Sequence, residues 1–87
     1  MRPDVAAIQR NLGWALAHEG DLEAAAQHLL IAQQLQPTLV DAYIDLGLVR
    51  QRQGNRDAAI TQFTEALRLD PNNAEAQQHL VAAALQP

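Results

Sequence analysis

Metal, acid–base and nucleophilic chemistry would have to come from three histidines, ten Asp and Glu residues, and the hydroxyls of Thr38, Thr61 and Thr64. The chain has no cysteine and no serine. That excludes disulfides, thiolate catalysis and cysteine-based zinc or iron–sulfur sites. A helical zinc site needs two histidines one turn apart, as in an HExxH motif. His18, His28 and His79 fall in three separate segments, and no two of them share that spacing. Asp41 and Asp45 form an acidic pair one helical turn apart, which reads as a solvated face. A nucleophile needs an oriented base beside it in a convergent pocket. The threonines fall at a cap or on an exposed helical face, so none has such a base. The expectation is a chain that is not an enzyme and uses no metal or cofactor, with its three histidines pointing into solvent.

Net charge is −4, and all six cations are arginine. An acidic chain lacks the clustered positive charge that nucleic acid requires. The longest uninterrupted apolar run is Leu80 to Leu85, far short of the about 20 residues that span a bilayer. No signal peptide pattern is visible. The expected setting is soluble and cytoplasmic, without nucleic-acid or membrane partners. Eighty-seven residues are expected to make one domain. With only Trp14, Tyr43 and Phe63 as aromatics, its stability should be modest.

The glycines and prolines set the positions of everything else. Gly13 and Gly47 lie 34 residues apart, as do Gly20 and Gly54. Pro3, Pro37 and Pro71 step by the same 34 residues. A fixed period of this length marks a helical repeat array. The same shift overlays Leu12 on Leu46, Ala24-Ala25 on Ala58-Ala59, Leu29 on Phe63, Ala32 on Ala66 and Leu35 on Leu69. Gly13 and Gly47 each sit within an apolar helical run, where glycine costs about 1 kcal/mol relative to alanine. Their recurrence predicts a close helix–helix approach, with Ala25 and Ala59 as the small partners. Gly20-Asp21 and Gly54-Asn55 read as a left-handed helix stop followed by an N-cap. Pro37 and Pro71 end the following helices, and Thr38 and Asn72 or Asn73 stand ready to cap the next ones. Five helices result, at about 4–18, 22–35, 39–53, 56–69 and 73–86. Helix 2 should bury Leu22, Ala25, Ala26, Leu29 and Ala32; helix 4 should bury Ala59, Ile60, Phe63, Ala66 and Leu67.

From Tyr43 to Pro71 the chain reads Y-x2-L-G-x6-G-x4-A-x3-F-x2-A-x4-P. This resembles the tetratricopeptide repeat (TPR), with its W-x2-L-G-x2-Y…A-x3-F…P pattern. The matching residues are Leu12, Gly13, Gly20, Ala25 and Pro37 in one copy, and Leu46, Gly47, Gly54, Ala59, Phe63, Ala66 and Pro71 in the other. Gln9 and Arg50 depart from it, each standing where the family places an aromatic. The resemblance implies an all-α chain of antiparallel helical pairs stacked as a short right-handed superhelix. Repeat 1 would run over about 4–37, repeat 2 over about 38–71, and a capping helix over about 72–87.

By the same resemblance, the first helix of each pair lines a concave groove that holds a peptide or protein segment. Helix 1 would contribute Ala7, Arg10, Asn11, Trp14, Ala17 and His18. Helix 3 would contribute Asp41, Ile44, Asp45, Leu48, Gln51 and Arg52, and helix 5 would contribute Glu75, Gln78, His79 and Ala82. Trp14, Ile44 and Leu48 would form an apolar floor flanked by Arg10, Arg52, Asp41 and Asp45. Asn11, Asp45 and His79 recur at the repeat period and would hydrogen-bond a ligand backbone. Family members that hold acidic chaperone C-terminal tails use basic and asparagine side chains at these positions. Here only Arg10 fits, while Asp45 and Glu75 would repel such a tail. A basic or mixed-charge ligand is expected instead. Helix 5 places Val81 where Gly13 and Gly47 stand, so a second helix could not pack on it in the usual way. Its face of Val81, Ala84 and Leu85 is expected to meet a second copy of the chain, as a homodimer, or another domain. The alternative to a groove binder is therefore an assembly element, or a structural TPR fragment of a larger protein.

Overall fold

The computed structural model describes residues 3–85. They form five helices: α1 (Pro3–His18), α2 (Leu22–Leu35), α3 (Val40–Arg52), α4 (Arg56–Leu69) and α5 (Ala74–Ala84). Among the described residues there is no strand. Gln86 and Pro87, assigned to the capping helix from the sequence, lie outside the described residues. Each helix packs on the next in sequence, and α1 also touches α3, as α3 touches α5. The first helices of the pairs thus form an inner layer, with α2 and α4 as an outer layer. The body measures 40 × 29 × 16 Å across its Cα atoms.

Local backbone chemistry explains the pairing. Gly20 and Gly54 have φ of 88° and 81°, in the left-handed region that suits glycine. At the first turn the Gly20 N–H donates to the Ala17 carbonyl and the Asp21 N–H to the Leu16 carbonyl, at 3.0 and 2.9 Å. Gly54 and Asn55 repeat this against Gln51 and Arg50 at 3.0 and 2.9 Å. This is the Schellman closure, which satisfies the orphan carbonyls of a helix end. The residue that completes it also starts the next helix. The Asp21 carboxylate accepts from the Ala24 N–H at 3.4 Å, and the Asn55 side chain accepts from Ala58 at 3.1 Å. Nothing lies within 4 Å of a Cβ built at Gly54. A Gly54→Ala substitution therefore isolates backbone strain, and should cost about 1 kcal/mol in urea unfolding with an unchanged m-value.

Of the helices after Pro37 and Pro71, only α3 starts without a side-chain cap. Asn73 caps α5, accepting from Ala76 at 2.9 Å. Thr38 does not cap α3; the N-cap is Leu39, and no side chain bonds there. The turn is held instead by Tyr43, whose hydroxyl donates to the Pro37 carbonyl at 2.9 Å. Gln77, one repeat later, makes the same bond to Pro71 at 2.9 Å. Gln9, at the first copy's equivalent position, bonds His28 at 2.7 Å, so a polar contact stands in for the absent aromatic.

The core is built by the two layers. Ala25, Ala26 and Leu29 of α2 cluster with Ala17 of α1 and with Leu46 and Val49 of α3. Ala59, Ile60 and Phe63 of α4 cluster with Leu80 and Ala83 of α5. Leu22, Ile60 and Leu67, expected as core, are only partly buried. The close approaches follow the glycines. A Cβ at Gly13 would lie 2.8 Å from Leu29 Cγ and 3.1 Å from the Ala25 carbonyl oxygen. At Gly47 it would strike the Phe63 ring, 2.7 Å from Cδ1 and 2.8 Å from Cζ. The partner of Gly47 is thus Phe63, not the Ala59 expected from the repeat pattern.

Candidate binding groove

The inner layer carries a cleft of about 310 Å³ between the C-terminal halves of α1 and α3. Trp14, Ala17 and His18 of α1 form one wall, and Asp45, Leu48, Val49, Gln51 and Arg52 of α3 form the other, with Leu29 of α2 at the base. The lining is predominantly apolar. Trp14 is 40 % exposed, so part of a large ring with an apolar body and a polar N–H is open at the cleft. Its ring is braced from one side by His18, with centroids 4.4 Å apart and planes tilted by 60°. The Arg10 guanidinium carbon sits 5.8 Å from the Trp14 ring centroid, a cation–π arrangement.

Two charged contacts tie the cleft walls together, and each spans 35 residues, one more than the repeat period. Arg10 Nε donates to Asp45 Oδ2 at 2.5 Å. Arg52 donates to the Ala17 carbonyl at 2.7 Å, placing a cation against the negative end of α1. Asp45 is only 4 % exposed. Burial pushes its carboxyl above the usual range; the Arg10 hydrogen bond and charge oppose this, while Asp41 and Glu75 add to it.

The structure sorts the residues expected in the groove into different roles. Trp14, Asp45, Leu48 and Arg52 line the cleft, with Ala17, His18 and Gln51 from the wider inner face. Asn11 and Asp41 are exposed. Ile44 is not part of an apolar floor. It is 1 % exposed and packs with Ala66 and Ala76, because α3 turns this position toward α4 and α5. Asp45 is likewise not one of two exposed acids. It stands in the cleft wall but is only 4 % exposed, and its carboxylate is paired with Arg10. His79 lies outside the cleft lining. Its ring is stacked on Phe63 with centroids 5.5 Å apart, and its Nε2 is 3.8 Å from Glu75. His28 bonds Gln9 and is half-buried. Of the three histidines, only His18 is exposed as expected. The expected column of Asn11, Asp45 and His79 therefore divides into an exposed amide, a buried ion pair and a ring stack.

Leu29 and Val49 join the site without having been expected there. Both are buried in the core, at the floor of the cleft. Among the described residues no three side chains converge to hold a metal ion, and no helix is long and apolar enough to cross a membrane. Val81 and Leu85 are 58 % and 78 % exposed, and Ala84 is exposed beside them.

Comparison with known proteins gives a consistent result. Two tetratricopeptide repeat family models match the chain, one over residues 1–39 and one over residues 40–73. Cellulose synthase 1 operon protein C of Komagataeibacter xylinus is 36 % identical over 73 residues, covering 84 % of this chain and 6 % of its own length. BBSome complex member BBS4 of Xenopus tropicalis is 38 % identical over 68 residues, covering 78 % of this chain and 13 % of its own. The chain thus spans a small fraction of the curated relatives it matches. The crystal structure of MamA superposes with a TM-score of 0.88 at 30 % identity, over 93 % of this chain and 47 % of that one.

Proposed function

The chain belongs to the tetratricopeptide repeat family, whose general role is non-catalytic protein–protein interaction or scaffolding, and from that premise we propose that it binds a peptide or protein segment on its inner layer. The observation that carries this reading is the apolar cleft beside a half-exposed Trp14. A cleft of this lining suits one bulky apolar side chain of the ligand, with polar contacts at its rim. The charges around it are divided. Arg52 and His18 stand at the mouth. The exposed acids Asp41 and Glu75 belong to the first turns of α3 and α5. A segment with an apolar anchor and a basic flank toward α5 fits this division, which keeps the preference for a basic or mixed charge but moves it off Asp45. An acidic chaperone tail does not fit it. The reading assigns the chain no reaction.

Trp14 is the single tryptophan, so its emission reports cleft occupancy directly. A peptide-display selection on the folded chain should enrich a motif built on one bulky apolar residue. The selected peptide should shift Trp14 emission to the blue. In a Trp14→Ala chain of unchanged circular dichroism the enrichment should be lost. Enrichment that survives this substitution, or a bound peptide that leaves the emission unmoved, would place binding elsewhere.

A further inference from the structure

Besides Leu30, Ile31 and Leu35 on α2, exposed apolar residues outside the cleft lie on α1 and on α5, at opposite ends of the stack. On α1 the surface consists of Ile8, Leu12 and Ala15. One repeat later the same register holds Ala42, Leu46 and Val49, which are 0–2 % exposed beneath α2. Two repeats later it holds Ala76, Leu80 and Ala83, covered by α4, with both alanines at 0 %. Ile8 and Leu12 are 58 % and 42 % exposed, and Ala15 is exposed with them. This is a socket of known type whose covering helix is missing among the described residues.

The helices that fill the other two sockets share one pattern. α2 presents Ala25, Ala26 and Leu29, and α4 presents Ala59, Ile60 and Phe63. Both sets are spaced i, i+1, i+4, with the large residue last. Neither set is available to a further socket, because each is already packed in the core. α5 carries the same pattern a third time, as Val81, Ala82 and Leu85, and there all three residues are exposed. The side chains that border Val81 and Ala82 are the uncharged Gln77 and Gln78, and the cation at the Leu85 end, Arg56, is already bonded to the Ala83 and Ala84 carbonyls at 2.9 and 3.3 Å.

We propose that copies of this chain associate head to tail, with the Val81–Ala82–Leu85 face of α5 in one copy seated on the Ile8–Leu12–Ala15 face of α1 in the next. The contact repeats between molecules the packing that α2 makes on α3 within one. It is heterologous, joining two different surfaces, so it leaves one free end of each kind and extends the stack instead of closing a symmetric dimer. It uses neither Trp14 nor the cleft, and therefore goes beyond the groove reading without depending on it.

The test is sedimentation velocity of the full chain over a wide concentration range, with Ile8→Glu and Val81→Glu variants. Both positions are more than half exposed, so both variants should keep the helical circular dichroism spectrum; Leu12→Glu is a second variant of the socket. The wild-type chain should gain mass beyond a dimer as concentration rises. Each variant alone should remain monomeric. An equimolar mixture of the two should form a 1:1 dimer and stop there, since each retains one intact face. A wild-type chain that stays monomeric to millimolar concentration overturns the proposal. Self-association abolished by only one variant, or a mixture that fails to pair, points to a symmetric contact and overturns it as well.

Discussion

Phe63→Ala is expected to destabilise the chain by about 3–5 kcal/mol in equilibrium urea unfolding, the range for removing a buried aromatic ring. Phe63 is 0 % exposed. It fills the space that Gly47 leaves on α3, packs with Ala59 and Ala83, and carries the ring of His79. One truncation thus loosens α3, α4 and α5 together. Gly47→Leu tests the same contact from the other side. Its side chain would be driven into the Phe63 ring, and overpacking of this kind costs about 1–3 kcal/mol. The two changes should be strongly non-additive, because in the double variant the introduced leucine side chain can occupy part of the volume that Phe63 vacates. Equal and additive losses would mean that the two positions do not share one space. The contrast with Gly54 is diagnostic, since that glycine is required by its backbone angle and not by a neighbour.

Arg10→Ala should produce the second large effect, and one that depends on pH. Asp45 is buried and its charge is answered by Arg10. Removing one member of a buried pair leaves an uncompensated charge, worth about 3–5 kcal/mol when both partners are deeply buried. Arg10 keeps a side-chain exposure of 29 %, so about 2–3 kcal/mol is expected at neutral pH. The direction with pH follows from the carboxyl. In the wild-type chain burial already holds the Asp45 carboxyl above its ordinary value against the pull of Arg10. Without Arg10 it rises further. The folded variant then binds a proton more readily than the unfolded chain, whose aspartates titrate near about 3.9. Between those two values stability falls as pH rises. Urea midpoints should therefore differ most between Arg10→Ala and wild type at neutral pH and converge toward about pH 4. A deficit that is the same at both pH values would show that Arg10 acts through its contact with Trp14 and not through Asp45.

Both predictions concern residues that the repeat register makes visible without revealing their roles. Gly47 is recognisable as a close approach because a helical glycine recurs only where something forbids a side chain. That the obstacle is Phe63 and not Ala59 depends on how the phenyl ring lies across α3. Arg10 and Asp45 stand one position apart in successive repeats, so their opposite charges are a legible signal of a contact across α1 and α3. The groove pattern makes them instead two free groups flanking a ligand, and the structure corrects it. Asp41 and Asp45 share a helical face by spacing, yet one is exposed and the other sealed.

Read along the chain, the elements and their order are already legible: five helices, their ends within one or two residues, and the Gly-Asp and Gly-Asn corners. These follow from local requirements, since a left-handed residue, an N-cap and an apolar period are each satisfied within a few positions along the chain. Which inner-face residues remain open depends on how the layers pack. Trp14 stays half-exposed while Ile44 is buried, and Asp45 is buried in an ion pair while Asp41 is exposed. His79 rests on Phe63, and Ile8 is bare where Ala42 and Ala76 are covered. Residues at the same register position meet different neighbours according to how the layers cross and where the stack ends, and side-chain direction and burial depend on those neighbours.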